Sequence, residues 1–392
     1  MNFEFSQEEQ AFAKEVDEFL AANYSPGVMD PTRENFAQLV DTPERRAFMK
    51  KIAERGWLGI TWPKEHGGQE GDGVYEYLLN ERLAGVGAPQ IGKGVGIIGK
   101  TLIRNGSEKL KREFLPKILR NDIEFAIGYS EPNAGSDAAA MALKAVRDGD
   151  GWRLNGQKIF TTSAHFAEWY WVGARTDPES KHHGITLFLL PMDSPGLTVQ
   201  GMATIGEDRT NQVFFDNVYV GDDYRVGELN KGFQYISEAL DLERFTLFTF
   251  SPIEKRVELL CDWVRKAERD GKPLREDPIV RQRIAWLVTQ TEVARVLGLQ
   301  FVAASMKGGP PPTCEASMYK LYATQHSQRV ANEALDICGA AGQLRVRTEE
   351  APMQGRFEGT YRATVVETVG GGSSEIQKNI IARRKLGLPR NF

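Results

Sequence analysis

The hydrophobic period of this chain changes twice along its length, and those two changes limit what it can fold into more than any single motif. Phe12, Val16, Phe19 and Leu20 recur at helical spacing behind Ser6 and Glu9, a pair placed to form a helix-opening capping box. The same spacing continues through 43–57, 73–86 and 107–120, broken by a turn at Trp62, Pro63, Gly67 and Gly68. From about residue 123 the period shortens to two. Trp152, Leu154, Trp169, Trp171, Ile185, Leu187 and Leu189 alternate with other residues, Asp148, Gly149 and Asp150 suit a hairpin turn, and 212–220 adds another strand. Beyond Gly232 helical spacing returns over roughly 234–269, 277–306 and 314–338. The order predicts an α+β chain of three domains: an N-terminal helical domain (1–122), a middle antiparallel β domain (123–231) and a C-terminal helix bundle (232–392).

Charge and composition remove several function classes. Forty-nine Lys and Arg against 53 Asp and Glu give a formal net charge of −4 over 392 residues, and the cations form no stripe, so a nucleic-acid footprint is absent. No uncharged apolar run reaches the roughly 18 residues of a membrane span. The acidic start Met1–Gln10 lacks the apolar core of a signal peptide, and three cysteines, Cys261, Cys314 and Cys338, are too few for a disulfide framework, so the expected location is cytoplasmic. The five histidines show no metal spacing, and no metal is expected.

Gly94–Thr101 satisfies both G-x-x-x-x-G-K-[ST] and G-x-G-x-x-G. Both motifs need a buried strand immediately before the loop, whereas Tyr77–Val86 has helical spacing, so these glycines are read as close-packing positions between helices. A nucleotide site would instead make Lys100 essential for nucleotide affinity.

More informative are Ile127-Gly128-Tyr129-Ser130-Glu131-Pro132-Asn133-Ala134-Gly135-Ser136-Asp137 and, some twenty residues later, Asn155-Gly156-Gln157-Lys158-Ile159-Phe160-Thr161-Thr162. Small hydroxyl residues beside glycines let backbone approach a planar ligand and hydrogen-bond its edge, although alone these segments read more simply as polar strand ends. With Trp62-Pro63-Lys64-Glu65-His66-Gly67-Gly68 and the stretch from Gly106 to Leu115-Pro116, these segments resemble the acyl-CoA dehydrogenase family across essentially the whole chain. That resemblance implies an N-terminal helical domain, a middle β domain and a C-terminal four-helix bundle, with FAD held between the last two. It implies that Ile127, Tyr129, Ser130, Phe160 and Thr162 line the flavin ring, that Gly135, Ser373 and Glu375 also contact the cofactor, and that Ser136 lies nearer the acyl-CoA. Phe160 replaces the Trp of many members, keeping an aromatic body and losing the indole N–H.

The family's reaction removes a proton α to a thioester carbonyl while the β hydrogen leaves as hydride to the flavin. A carboxylate serves as base when burial raises its pKa from about 4.3 toward about 6 to 7. Many members carry that Glu near the C-terminus, where Val369–Gln377 instead aligns Gly371. Isovaleryl-CoA dehydrogenase and some others carry it in a Leu-Asp-Leu-Glu-Arg string, present here as Leu240–Arg244. Apolar residues nearly all round this helix point to burial, where a Glu needs a partner or a purpose, so Glu243 is the candidate base. Its other reading is a pair with Arg244, which adjacent helical positions do not favour. Arg244 resembles the family's Arg beside the base, or is purely structural. Glu367 is the fallback base, more simply a salt-bridged helix-end residue. A backbone N–H survives the loss of a side chain at Gly371, and by the family resemblance that amide, with the flavin ribityl hydroxyl, polarises the thioester carbonyl.

By the same resemblance Asp336, Gly339, Gly342 and Gln343 stand where the family binds the adenosine of FAD across a subunit boundary, although Gly339 also suits a helix end. The Arg-x-x-Phe-Gly segment of homotetrameric members is absent from Arg269–Arg275. That and the Gly370–Gly372 run resemble bacterial dehydrogenases of steroid degradation, several of them heterotetramers. The expectations are therefore an acyl-CoA substrate with a branched, cyclic or steroid acyl group, electron-transfer flavoprotein as acceptor, and a homotetramer or α2β2 heterotetramer. An oxidase or monooxygenase of the same fold and a non-catalytic partner subunit are the alternatives.

Overall fold

The computed structural model describes residues 4–33, 37–247, 249–305, 312–345 and 348–389, with backbone only for 241–247. The N-terminal domain contains α1 (Gln7–Ala22), α2 (Pro43–Glu54), α3 (Gly73–Gly85), α4 (Lys100–Asn105) and α5 (Glu108–Leu119). The capping box forms, with Ser6 Oγ accepting from the Glu9 amide and Glu9 accepting from the Ser6 amide. Gly94–Gly99 is a π-helical turn running directly into α4, with no strand before it. A Cβ on Gly99 would stand 2.0 Å from Cζ2 of the buried Trp62, and Lys100 Nζ lies 2.7 Å from Glu76. The glycines therefore serve helix packing, as the missing strand implied.

The β domain is one sheet of β1 (Phe125–Gly128), β2 (Lys144–Asp148), β3 (Gly151–Lys158), β4 (Trp169–Arg175), β5 (Ile185–Pro191), β6 (Leu197–Ala203), β7 (Arg209–Gly221) and β8 (Arg225–Val226). Its order is β6-β7-β3-β2-β4-β5-β8, with β1 on β4. The hairpin at Asp148–Asp150 joins β2 to β3 as the turn residues implied. The expectation of an antiparallel domain needs one correction: β1 runs parallel to β4, Phe125 opposite Trp169, and Lys144 of β2 pairs in parallel with Arg175. The chain between β1 and β4 first builds the β2–β3 hairpin, and such a long crossover is what a parallel pair requires.

Residues Ile185 to Leu190 of β5 are all buried because both faces of the sheet are covered. On one face Trp171, Ile185, Leu187 and Leu189 join the core of the N-terminal helices. The same core takes in Tyr235, Ile236 and Ala239 of α6 (Gly232–Leu247). Helices α7 (Ser251–Val264), α8 (Pro278–Ser305), α9 (Thr313–Cys338) and α10 (Arg356–Ala363) build a further core, and α11 (Ser374–Ile380) follows. The segment expected as helical over 234–269 is thus two helices. Pro252 sits at the first turn of α7, where its fixed φ fits and its missing N–H costs nothing. No described helix is long and apolar enough to cross a membrane.

Candidate functional site

The two motif segments of the β domain meet because β1 and β3 deliver them to one place. Where β1 ends, the Ser130 carbonyl accepts the Ile159 amide at 2.9 Å, which puts Tyr129–Ser130 beside Phe160–Thr162. Gly128 admits this approach, since a Cβ there would fall 2.3 Å from the Tyr170 hydroxyl. Tyr129 is half-buried, and its hydroxyl accepts the Trp171 indole N–H at 2.7 Å.

A buried ion pair ties the segments together. Lys158 Nζ is 2.7 Å from Glu131 Oε1 and donates to the Tyr129 carbonyl at 3.2 Å. Glu131 also accepts the amides of Ala142 at 2.6 Å and Leu143 at 2.9 Å, so its charge is met on several sides. Burial pushes the Lys158 pKa down to about 8 against the pull of Glu131. Both residues lie within the two motif segments, where sequence alone gives neither a role. Only the fold brings them into contact, because 27 positions separate them.

Phe160 has φ of +58°, a left-handed conformation that bulky residues seldom adopt, and its ring is 62 % exposed. Its neighbours hold it there. The Thr161 amide donates to the Asn211 carbonyl at 3.0 Å, and Asn211 Nδ2 returns a bond to the Thr161 carbonyl at 2.8 Å and one to that of Thr162 at 3.3 Å. An aromatic ring presented to the surface by a constrained backbone is what a stacked planar cofactor needs. Gly135 and Ser136 are exposed on the loop that follows Glu131, and Ile127 is half-buried on β1.

At the C-terminal glycine run Gly371 and Gly372 have φ of +63° and +91°, positions closed to most side chains. The carbonyl of Gly372 accepts Lys320 Nζ at 2.6 Å and Gln377 Nε2 at 3.0 Å, and that of Gly371 accepts Gln377 Nε2 at 3.3 Å. With these carbonyls turned toward buried donors, the Gly371 amide meets no acceptor among the described residues. Ser373 caps α11 through the Ile376 amide, and the exposed Glu375 is held below the usual carboxylate range by its own amide and the Ser373 hydroxyl.

The remaining candidates fall elsewhere. Asp336 pairs with Arg283 at 2.9 Å and Gly339 ends α9 with φ of +68°. No hydrogen bond or ion pair among the described residues joins either to the β-domain segments. Glu367 is buried and bonded to Arg256 at 3.1 Å, the salt-bridged role its position suggested. The side chains of Glu243 and Arg244 lie outside the described residues. Their helix α6 packs through Tyr235, Ile236 and Ala239 into the core shared by the N-terminal helices and the sheet. No cluster of potential metal ligands occurs among the described residues.

Comparison with known proteins gives a consistent result. Family models for the N-terminal, middle and C-terminal domains of acyl-CoA dehydrogenase match residues 6–122, 126–218 and 230–386. The chain is 32% identical over 384 residues to acyl-CoA dehydrogenase FadE26 of Mycobacterium tuberculosis, covering 91% of this chain and 95% of that protein. Among solved structures it resembles the Tcur3481-Tcur3483 steroid ACAD, with 33% identity, TM-score 0.88 and coverage of 100% of both chains. It also resembles the ChsE4-ChsE5 complex from Mycobacterium tuberculosis, with 29% identity, TM-score 0.89 and 100% coverage of both chains.

Proposed function

Because the chain belongs to the acyl-CoA dehydrogenase family of flavin-dependent oxidoreductases, we propose that it desaturates a CoA thioester between the α and β carbons, with FAD as cofactor and Glu243 as base. The observation that carries this reading is the convergence of Tyr129–Ser130 with Phe160–Thr162, held by the Ser130–Ile159 bond and the Glu131–Lys158 pair. The exposed Phe160 ring and the adjoining hydroxyl residues fit the face and polar edge of an isoalloxazine, and Gly135, Ser373 and Glu375 would complete its contacts. Asp336 and Gly339 would serve the adenosine end of a cofactor shared across a subunit boundary.

When bound, the flavin supplies the two-electron acceptor for the β hydrogen. The protein's part is to make the α carbon acidic and to take its proton. The Gly371 N–H, free of any described acceptor, donates to the thioester carbonyl and stabilises the charge that develops there. Glu243 removes the α proton and keeps it on its carboxyl group while the double bond forms. By the family resemblance Arg244 would stand beside the base and Ser136 would lie near the acyl-CoA. Glu367 cannot easily replace Glu243, because its carboxylate is engaged by Arg256.

The acyl group is branched, cyclic or steroid. Support comes from the Gly370–Gly372 run, which places no side chain where many relatives carry their base, and from the steroid ACAD among the similar structures. The electron acceptor is electron-transfer flavoprotein, and the assembly is a homotetramer or an α2β2 heterotetramer. Exposed apolar residues on α8, Ile279, Trp286, Val288 and Val293, suit contact with another subunit.

Glu243→Gln tests the mechanism. The variant is expected to retain flavin and thioester binding while flavin reduction slows by at least about 100-fold, the scale of losing a general base. Stopped-flow bleaching at the parental rate would remove Glu243 from the mechanism.

A further inference from the structure

Glu81 stands on α3, outside every motif the proposed chemistry uses, and it is buried with no cation bonded to it among the described residues. Its Oε1 accepts the Phe250 amide at 3.0 Å, and its Oε2 accepts the Ser251 amide at 2.9 Å and the Ser251 hydroxyl at 2.5 Å. These are the opening groups of α7. A helix start leaves its first amides without intrahelical acceptors, and the N-cap position here is Phe250, whose side chain accepts nothing. The cap comes instead from α3, far away in sequence, and the positive end of α7 stabilises the carboxylate charge.

Burial raises the Glu81 pKa to about 7, Glu254 on α7 adds to the rise, and the bonds from Ser251 and Phe250 oppose it. Tyr77 on α3 and Tyr319 on α9 are the other titratable groups that interact with this carboxyl, and the buried Tyr319 hydroxyl has no hydrogen-bond partner among the described residues. The three bonds make a stiff anchor, because releasing the Glu81 carboxyl would orphan two amides in a buried place.

Only residues 248–250 separate the end of α6 from the start of α7. A connection that short transmits any shift of α7 to the last turns of α6, where Glu243 resides. We propose that Glu81 is a positioning residue: by holding the first amides of α7 it fixes where α6 ends and so the attitude in which α6 presents Glu243 to the substrate. The inference rests on the assignment of Glu243 as base. It differs from simple helix capping, which would change stability and leave the chemistry alone.

The test compares flavin-loaded, full-length protein with its Glu81→Gln variant, using the thioester that bleaches the parent. Thioester binding should stay within about twofold, flavin reduction should slow at least about tenfold because misplacement of a base by an ångström is costly, and amide exchange should quicken over 249–253 and stay unchanged in α8. A reduction rate within about twofold of the parent overturns the proposal whatever the exchange data show. Should Glu81→Gln fail to fold, Ser251→Ala removes the hydroxyl bond alone. It is expected to slow reduction about threefold at unchanged binding, and an unchanged rate overturns the proposal equally. Glu243→Gln run in parallel separates the two claims. If it reduces flavin at the parental rate the base assignment has failed, whereas a slow Glu243→Gln beside a normal Glu81→Gln removes the positioning role alone. A parent that no thioester bleaches removes both.

Discussion

His326 lies buried on α9 facing α8, its Nε2 2.9 Å from Thr291 Oγ1 and its Nδ1 without a hydrogen-bond partner among the described residues. Burial, with Arg329 nearby, pushes its pKa down to about 4 from 6.5. A depressed histidine pKa means that the unfolded chain binds the proton more readily. The stability that the neutral ring contributes is therefore complete above pH 6.5 and is lost as pH falls through about 4. Urea unfolding between pH 7.5 and 4.5 should show less acid sensitivity in His326→Gln than in the parent, and equal slopes would remove His326 as a source of acid lability. Legibility at this scale was uneven. The residues proposed to line the flavin became candidates through the family resemblance of their motifs, because clustered hydroxyls and glycines by themselves read equally as polar strand ends. Glu131, Lys158, Asn211 and Glu81 did not, because each gains its meaning from a partner many positions away. The left-handed conformation of Phe160 also has no local signal, since neither neighbour is a glycine.

Among the elements, the clearest success of sequence reasoning concerns the glycines at 94–99. A phosphate loop was excluded because Tyr77–Val86 is helical, and α3 together with the π-helical turn bears this out. Packing gives the positive reason for the glycine at 99. Gly99→Ala would drive a Cβ into the Trp62 ring, which is large and buried and has little room to move. We expect a loss of about 1–3 kcal/mol, the usual cost of overpacking, with flavin affinity unchanged. Chemical denaturation with flavin titration would check it, and parental stability would show that the ring yields. Two features escaped the sequence reading. The break between α6 and α7 was signalled by Ser251-Pro252 but overridden by continuous apolar spacing. The parallel seating of β1 on β4 follows from a crossover that strand periodicity does not encode, because period two is the same for either direction.

For the whole molecule, α6 is the element that joins the parts. It follows β8, packs into the core shared by the sheet and the N-terminal helices, and is followed by α7, whose start Glu81 caps. A base at Glu243, as proposed, would be placed by contacts from the N-terminal helices, the sheet and the bundle together. The α-β-α order was legible because hydrophobic period reports burial geometry directly. Which apolar residues stay exposed was not, since only the fold shows that Ile279, Trp286 and Val293 are uncovered in the single chain.

The central claim is tested most directly by the visible spectrum of the purified protein without oxygen, before and after addition of linear, branched and steroid acyl-CoA thioesters. The account predicts an oxidised flavin spectrum that at least one thioester bleaches. Protein that binds no flavin, or a flavin that every thioester leaves oxidised, would contradict it.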